Sequence, residues 1–265
     1  MIKIIKLKIE NEYFAELPLI TDNEEPRNRA PRYSGCQNKK NPGIEISSGI
    51  KAFISLKNAG DMHIENQEVR KKYFAMHEIE YGRVSGLHQV HSKDIKIVTD
   101  KSYGYNDKGD GLITSNKQAV LAVTVADCIP ICLYDKGTGV FGVLHSGWRG
   151  TGIIENAVNL LKEKYNSKPE NIFITIGPGI GSCCYEVSKD LYDKFTTVYG
   201  KNTVSIINDK YFIDLKQVNI NLLKQFNIEN ITVIEDCTFC NNLLSSFRRD
   251  GKDNFIRMNV SIGLF

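Results

Sequence analysis

Histidine is scarce in this chain: five in 265 residues, alongside one tryptophan. Multicopper centres and poly-histidine clusters need more imidazoles than that, so any metal site must be small. An excess of either charge is also missing. The 34 Lys and Arg against 31 Asp and Glu leave a formal +3, which names no polyanionic partner. There is no long apolar run, because the stretch from Ala119 to Tyr134 is interrupted by Asp127 and Pro130. It falls short of the roughly 20 residues of a spanning helix. Nor does the N-terminus carry a continuous apolar core: Met1 to Ile9 alternates apolar residues with Lys, an edge strand rather than a signal peptide. The seven cysteines are an odd number, and Cys183 beside Cys184 with a lone Cys237-x-x-Cys240 builds no disulfide framework. Reduced thiols in a cytoplasm are expected.

What is present is ordinary globular material, with 42% hydrophobic, 25% charged and 9% aromatic residues. That composition excludes a disordered, fibrous or membrane chain, and the length closes a core without staples. One domain over residues 1–265 is expected, with a long loop at about 20–45, where Pro, Asn, Arg and Lys crowd together without periodicity. Helical spacing appears from Asn66 to Glu78, Gly152 to Tyr165 (stopped by Pro169), Ser188 to Tyr199 (Ser188 as N-cap) and Leu215 to Phe226. Short β-branched runs mark strands at Asp94 to Thr99, Ala119 to Val125, Ile129 to Tyr134, Val140 to His145, Asn171 to Ile176, Ile231 to Glu235 and Phe255 to Ile262. Adjacent strands followed by alternating units imply a mixed α+β (α/β) fold, central mixed β-sheets flanked by helices.

Four clusters end predicted strands: Gly86-Leu-His-Gln-Val-His91, Ala126-Asp-Cys-Ile-Pro130, Leu144-His-Ser-Gly-Trp-Arg-Gly150 and the segment from Gly177 to Val187. Cys128 and His145 follow or end adjacent strands, so a sheet can bring a thiolate and an imidazole together. A second histidine would complete a His/Cys/His set that leaves one tetrahedral position of zinc open. Buried packing is the alternative for any single Cys. His88 and His91 compete for the third place, since three residues apart they share a face only in a helix or turn. Arg149, at the start of a helix, suits an anion site, and Arg248 and Arg249 suit a phosphate or carboxylate; solvated turns are the alternatives. Cys237 and Cys240 read as packing thiols or a pocket wall rather than a second metal site. No dinucleotide fingerprint, zincin motif or Walker loop is present.

Together, His-Gln-Val-His91, Gly109-Asp-Gly-Leu, Val125-Ala-Asp-Cys128, His145-Ser-Gly-Trp-Arg-Gly150, Gly177-Pro-x-Ile-Gly181, Tyr185-Glu-Val187 and Cys237-Thr-x-Cys240 followed by Ser246-Phe-Arg-Arg-Asp250 resemble the laccase-domain, YfiH-like family. These are purine nucleoside phosphorylases once called multicopper polyphenol oxidases. The resemblance implies one zinc held by His91, Cys128 and His145, with copper possible by substitution. It implies phosphorolysis of adenosine, inosine and methylthioadenosine, and adenosine deamination. The expected partners are a purine nucleoside and inorganic phosphate, with no nucleic acid and no membrane, for a monomer or small homo-oligomer.

In that reading the metal would activate water for attack at C6 of the purine, with Asp127 as proton shuttle or as a group orienting a ligand. Arg149 and the pair Arg248 and Arg249 would hold phosphate in line with the ribose C1′, one of the pair facing inward if they end a strand. The chain departs from the family where a Ser-Thr-Arg-x-Gly-Gly-Val-Ser segment is usual: Glu45 to Ile50 stand there, and Arg27, Arg29 and Arg32 lie in the preceding loop. Two other readings use the same cluster. One is a hydrolase editing cell-wall precursors, with Cys128 as nucleophile and His145 as base. The other is a non-catalytic module clamped by zinc with a fourth ligand from Cys132, Cys237 or Cys240.

Overall fold

The computed structural model describes residues 2–19, 49–100, 103–104 and 106–265. The loop expected at about 20–45, with Arg27, Arg29 and Arg32, lies outside these residues, as does most of the segment from Glu45 to Ile50.

Among the described strands, the longest one buried throughout organises the molecule. In Ile129–Asp135 every residue is buried, because its two faces serve different cores. Ile129, Ile131 and Leu133 pack with Ile153, Ala157, Val158 and Leu161 of the helix Ile153–Tyr165 and with Val218 and Leu222 of the helix Leu215–Gln225. Cys132 and Tyr134 point the other way, to Leu121, Val123 and Val125 of the strand Val120–Val125. That second strand repeats the device, since its Val120 and Ala122 face Tyr73 and Phe74 of the helix Gln67–Ala75. A strand buried on both faces shows no alternation, which is why these runs read as continuously apolar. The layers are therefore helix, sheet, sheet, helix.

The first sheet has seven strands in the order Ile2–Ile5, Asn230–Ile234, Ile172–Ile176, Ile129–Asp135, Phe141–Ser146, Gly111–Thr114 and Ile95–Val98. Its outer pairs are parallel and its centre antiparallel. The second has six: Lys8–Ile9, Phe14–Glu16, Ile50–Ser55, Met258–Leu264, Val120–Val125 and Val84–Ser85. The alternating N-terminus thus supplies an edge strand to each sheet. A small third sheet joins Glu186–Val187, Lys210–Ile213 and Val204–Ile207. The mixed α/β architecture expected from the sequence is the one observed.

The helices expected from spacing form within a few residues of their expected ends. The Ser188 hydroxyl caps the helix Lys189–Tyr199 by accepting from the Leu191 N–H. One stop signal differs: the helix Ile153–Tyr165 ends on Asn166 in the left-handed region at φ 54°, whose N–H returns to the Leu161 carbonyl. Pro169 instead opens the following 3-10 turn.

Candidate functional site

Three loops at strand ends converge on one point. Residues 86–91 follow Val84–Ser85, Ala126 to Cys128 join two core strands, and His145 lies near the end of Phe141–Ser146. The metal-binding atoms of His91, Cys128 and His145 all lie within 4.8 Å of one another. His91 Nε2 is 3.8 Å from Cys128 Sγ. His88 lines the same cavity but lies outside this set, which leaves His91 as the candidate for the third place.

Asp110 builds this geometry. Fully buried, it accepts hydrogen bonds from the N–H groups of Val90, His91 and Ser92 at 3.2, 3.0 and 2.7 Å, and from the Ser92 hydroxyl at 2.8 Å. These fix the loop that carries His91, which sits in the left-handed region at φ 59°. The same carboxylate lies 2.8 Å from His145 Nδ1. Burial works to raise the Asp110 carboxyl, but His145 and Ser92 outweigh it and hold it below the usual range. An ionised Asp110 places the His145 proton on Nδ1 and leaves Nε2 for the cluster.

The donor set fits a tetrahedral ion. Zinc with N and S ligands places neighbouring donors about 3.6 Å apart, close to the 3.8 Å between His91 and Cys128. Gly147 makes room for it: a Cβ there would stand 2.8 Å from Cys128 Sγ and 3.0 Å from His91 Cδ2. Charge fits as well. Burial pushes the Cys128 thiol up, but His145 and then His91 outweigh it and bring it down to about 6. Burial pushes His145 down, and the Cys128 thiolate first and Asp110 second raise it to about 9. Without a metal the two form a thiolate and imidazolium pair. Cys132 is no fourth ligand: it faces the core between the sheets, where burial pushes its thiol up to about 12. Among the described residues no fourth protein ligand joins His91, Cys128 and His145, so this set does not supply the four-ligand clamp of the non-catalytic reading.

The set opens on a cavity of about 580 Å³. Leu87, Ile180, Phe247, Phe255, Trp148 and Tyr185 give it apolar walls, while Arg70, Arg248 and Arg257 bring positive charge. Burial, followed by the Cys128 charge, pushes the Tyr185 phenol up to about 12, so its hydroxyl stays protonated.

The arginines named from sequence separate. Arg248 lines the cavity, its guanidinium 5.4 Å over the Tyr185 ring and donating to the Glu186 carbonyl at 2.9 Å. Arg249 is a correction. It donates to the carbonyls of Thr238, Phe239, Asn241 and Leu244 and to the Asp250 carboxylate, so its N–H groups are spent on the scaffold. The pair sits in a helical turn, Phe247–Asp250, not at a strand end. Arg149 is exposed outside the cavity lining, 4.9 Å over the Trp148 ring. Asp127 lines the cavity at φ 84°, yet both carboxylate oxygens are engaged: Oδ1 with the Thr238 hydroxyl at 2.6 Å, Oδ2 with the Arg248 N–H at 2.7 Å. It orients the turn that carries Arg248.

Sequence reasoning missed Asp110 as an orienting group, although Gly109-Asp-Gly-Leu stood in the resemblance. It also missed Arg70 and Arg257. Arg70 is buried on the helix Gln67–Ala75, donating to the Tyr81 hydroxyl and the Met62 carbonyl. Its position three before Tyr73 on an apolar helix face was the available signal.

Residues 46–264 match the family described as multi-copper polyphenol oxidoreductase laccase. A purine nucleoside phosphorylase of Clostridium acetobutylicum is 33% identical over 76% of this chain and 86% of its own. The purine nucleoside phosphorylase YlmD of Bacillus subtilis is 30% identical over 85% of this chain and 86% of its own. A solved structure of a Bacillus licheniformis hypothetical protein, YfiH, superposes with a TM-score of 0.76 at 31% identity, covering 84% of this chain and 95% of that one. With four fifths of its length matched and its fold shared, the chain belongs to this laccase-domain, YfiH-like family.

Proposed function

We propose that the chain is a zinc-dependent purine nucleoside phosphorylase, cleaving adenosine, inosine or methylthioadenosine with phosphate into free base and sugar 1-phosphate. Adenosine deamination is a second activity of the same pocket. The observation that carries the reading is a His/Cys/His donor set opening on a cavity rimmed by arginine. The phosphorylase names of relatives that match most of their length support it. The family model's name points to copper, but three donors and five histidines do not build a multicopper assembly. Copper in place of zinc at the same donors would give weak oxidation through metal substitution.

In phosphorolysis the bond from C1′ to the base breaks with its electron pair leaving on the base, while a phosphate oxygen bonds C1′. The sugar passes through an oxocarbenium-like state, so the phosphate must be held in line and the purine kept stacked. Arg248 offers the cation closest in kind to that task, and Asp127 fixes the turn behind it. Arg70 and Arg257 add positive field to the same cavity. The rings of Phe247, Phe255 and Tyr185 offer faces for the base, and the Tyr185 hydroxyl is a donor. His91, Cys128 and His145 would hold the zinc, which when bound supplies a Lewis acid beside the substrate.

A second reading has its own observation: Cys128, His145 and Asp110 follow the order of nucleophile, base and orienter. It suits an amide hydrolase acting on a cell-wall precursor, and it excludes a metal, because a ligating thiolate is no nucleophile. Chromatography of adenosine incubated with the enzyme, with and without phosphate and with a chelator, separates the readings. Adenine that appears only with phosphate, and inosine that appears without it, both abolished by the chelator, support the proposal. Neither product from zinc-loaded enzyme rejects it.

A further inference from the structure

Six of the seven cysteines are described and all six are free. Four of them gather far from the His/Cys/His set in sequence and outside the cavity lining: Cys183, Cys184, Cys237 and Cys240, their sulfurs all within 4.8 Å of one another. We propose that these four thiolates form a second metal site, a tetrahedral centre for a single zinc ion that staples the loop 177–185 to the turn 237–240.

The spacing is that of ligands around one ion. Zinc at its usual sulfur distance puts any two thiolates of a tetrahedron about 3.8 Å apart. Cys183 Sγ and Cys184 Sγ lie 3.9 and 3.4 Å from Cys240 Sγ. These separations are too long for a disulfide, whose sulfurs lie about 2.0 Å apart. They also leave room for one ion between the sulfurs rather than a cluster of several. Soft thiolates in a tetrahedral set select zinc over magnesium or calcium.

The surrounding backbone is arranged for the same purpose. Cys237 and Cys240 lie on one tight turn closed by the Asn241 N–H on the Cys237 carbonyl at 2.9 Å. The Gly181 N–H donates to Cys237 Sγ at 3.2 Å, the kind of bond that supports a ligating thiolate. Gly181 leaves room for the sulfurs, since a Cβ there would stand 3.1 Å from Cys183 Sγ and 3.4 Å from Cys237 Sγ. The two loops are stitched alongside by the Thr238 N–H on the Gly179 carbonyl at 3.2 Å. Cys237 is buried, as packing would require, but Cys183 and Cys240 are exposed, which packing does not explain and which gives an ion access.

The staple bears on the cavity. Tyr185 follows Cys184 directly, the Thr238 hydroxyl holds Asp127, and the Thr238 and Phe239 carbonyls hold Arg249. A zinc there fixes the wall carrying Tyr185 and Arg248 without touching substrate.

The test is metal content by plasma mass spectrometry on the full chain purified under reducing conditions and reloaded with zinc, set in a His91→Ala, His145→Ala background so that the first set cannot contribute. One zinc per chain is expected there, falling to none in Cys183→Ser, Cys240→Ser. If that variant fails to fold, Cys240→His, which keeps a zinc ligand, is expected to retain the ion. In the same background, zinc is expected to slow alkylation of the four cysteines at least tenfold. Zinc absent from the background protein, alkylation rates indifferent to zinc, or a Cys184 to Cys240 disulfide under reducing conditions overturns the proposal. None of these measurements reads phosphorolysis, so this proposal and the phosphorylase reading fail separately.

Discussion

The carboxylate of Asp110 is shared between His145, 2.8 Å from Nδ1, and the N–H of His91, 3.0 Å away. One buried charge thus sets the ring of one candidate ligand and the backbone of another. Asp110→Asn keeps the shape but loses the charge that fixes the tautomer. Metal affinity is expected to fall by about 10- to 100-fold, measured by competition with a chromophoric chelator. An unchanged affinity would show that the Asp110 charge does not orient the donor set.

Gly147 tests the fit from another side. Its would-be Cβ lies 2.8 Å from Cys128 Sγ, so Gly147→Ala crowds the set without removing a donor. Overpacking of about 1–3 kcal/mol displaces Cys128 and His91 from the donor geometry. The expected result is weaker metal binding with near-normal far-UV circular dichroism.

Metal affinity should depend on pH in a stated direction. Cys128 is lowered to about 6 and His145 raised to about 9, so between these values the metal-free pair is a thiolate and an imidazolium. Binding needs a neutral His145 and therefore releases a proton throughout that window. Affinity is expected to rise about tenfold per pH unit between pH 6 and 9, to flatten above 9 and to fall more steeply below 6. Isothermal titration in buffers of different ionisation enthalpy counts the proton released; none at pH 7.5 contradicts the pairing.

The two neighbouring arginines should fail differently. Arg248→Ala is expected to raise the KM for phosphate by roughly tenfold or more with little change in melting temperature. Arg249→Ala strands the carbonyls of Thr238, Phe239, Asn241 and Leu244. It is expected to cost about 2–4 kcal/mol of stability. The reverse pattern, read from denaturant melts beside phosphate kinetics, would exchange their roles.

Much of the fold is legible in the sequence because burial on two faces writes continuous apolar runs, as in Ile129–Asp135 and Val120–Val125. Strands with exposed faces are not: Lys210–Ile213 and Val204–Ile207 carry no clean pattern and are held by pairing with each other. At the site, Cys128 and His145 are legible because they follow or end adjacent strands, whereas spacing left His88 and His91 open and only the resemblance pointed to His91. Asp110 is hidden because an orienting carboxylate announces itself only through what it bonds. Arg248 and Arg249 cannot be told apart until the turn Phe247–Asp250 gives one to the cavity and one to the carbonyls behind it.

Phosphorolysis is decided by the fate of the sugar when zinc-loaded enzyme is given inosine and phosphate. Hypoxanthine and ribose 1-phosphate are expected in equal amounts, none of either without phosphate, with loss of both in Cys128→Ala. Free ribose in place of the sugar phosphate, or full activity in a metal-free Cys128→Ala protein, would contradict zinc-dependent phosphorolysis.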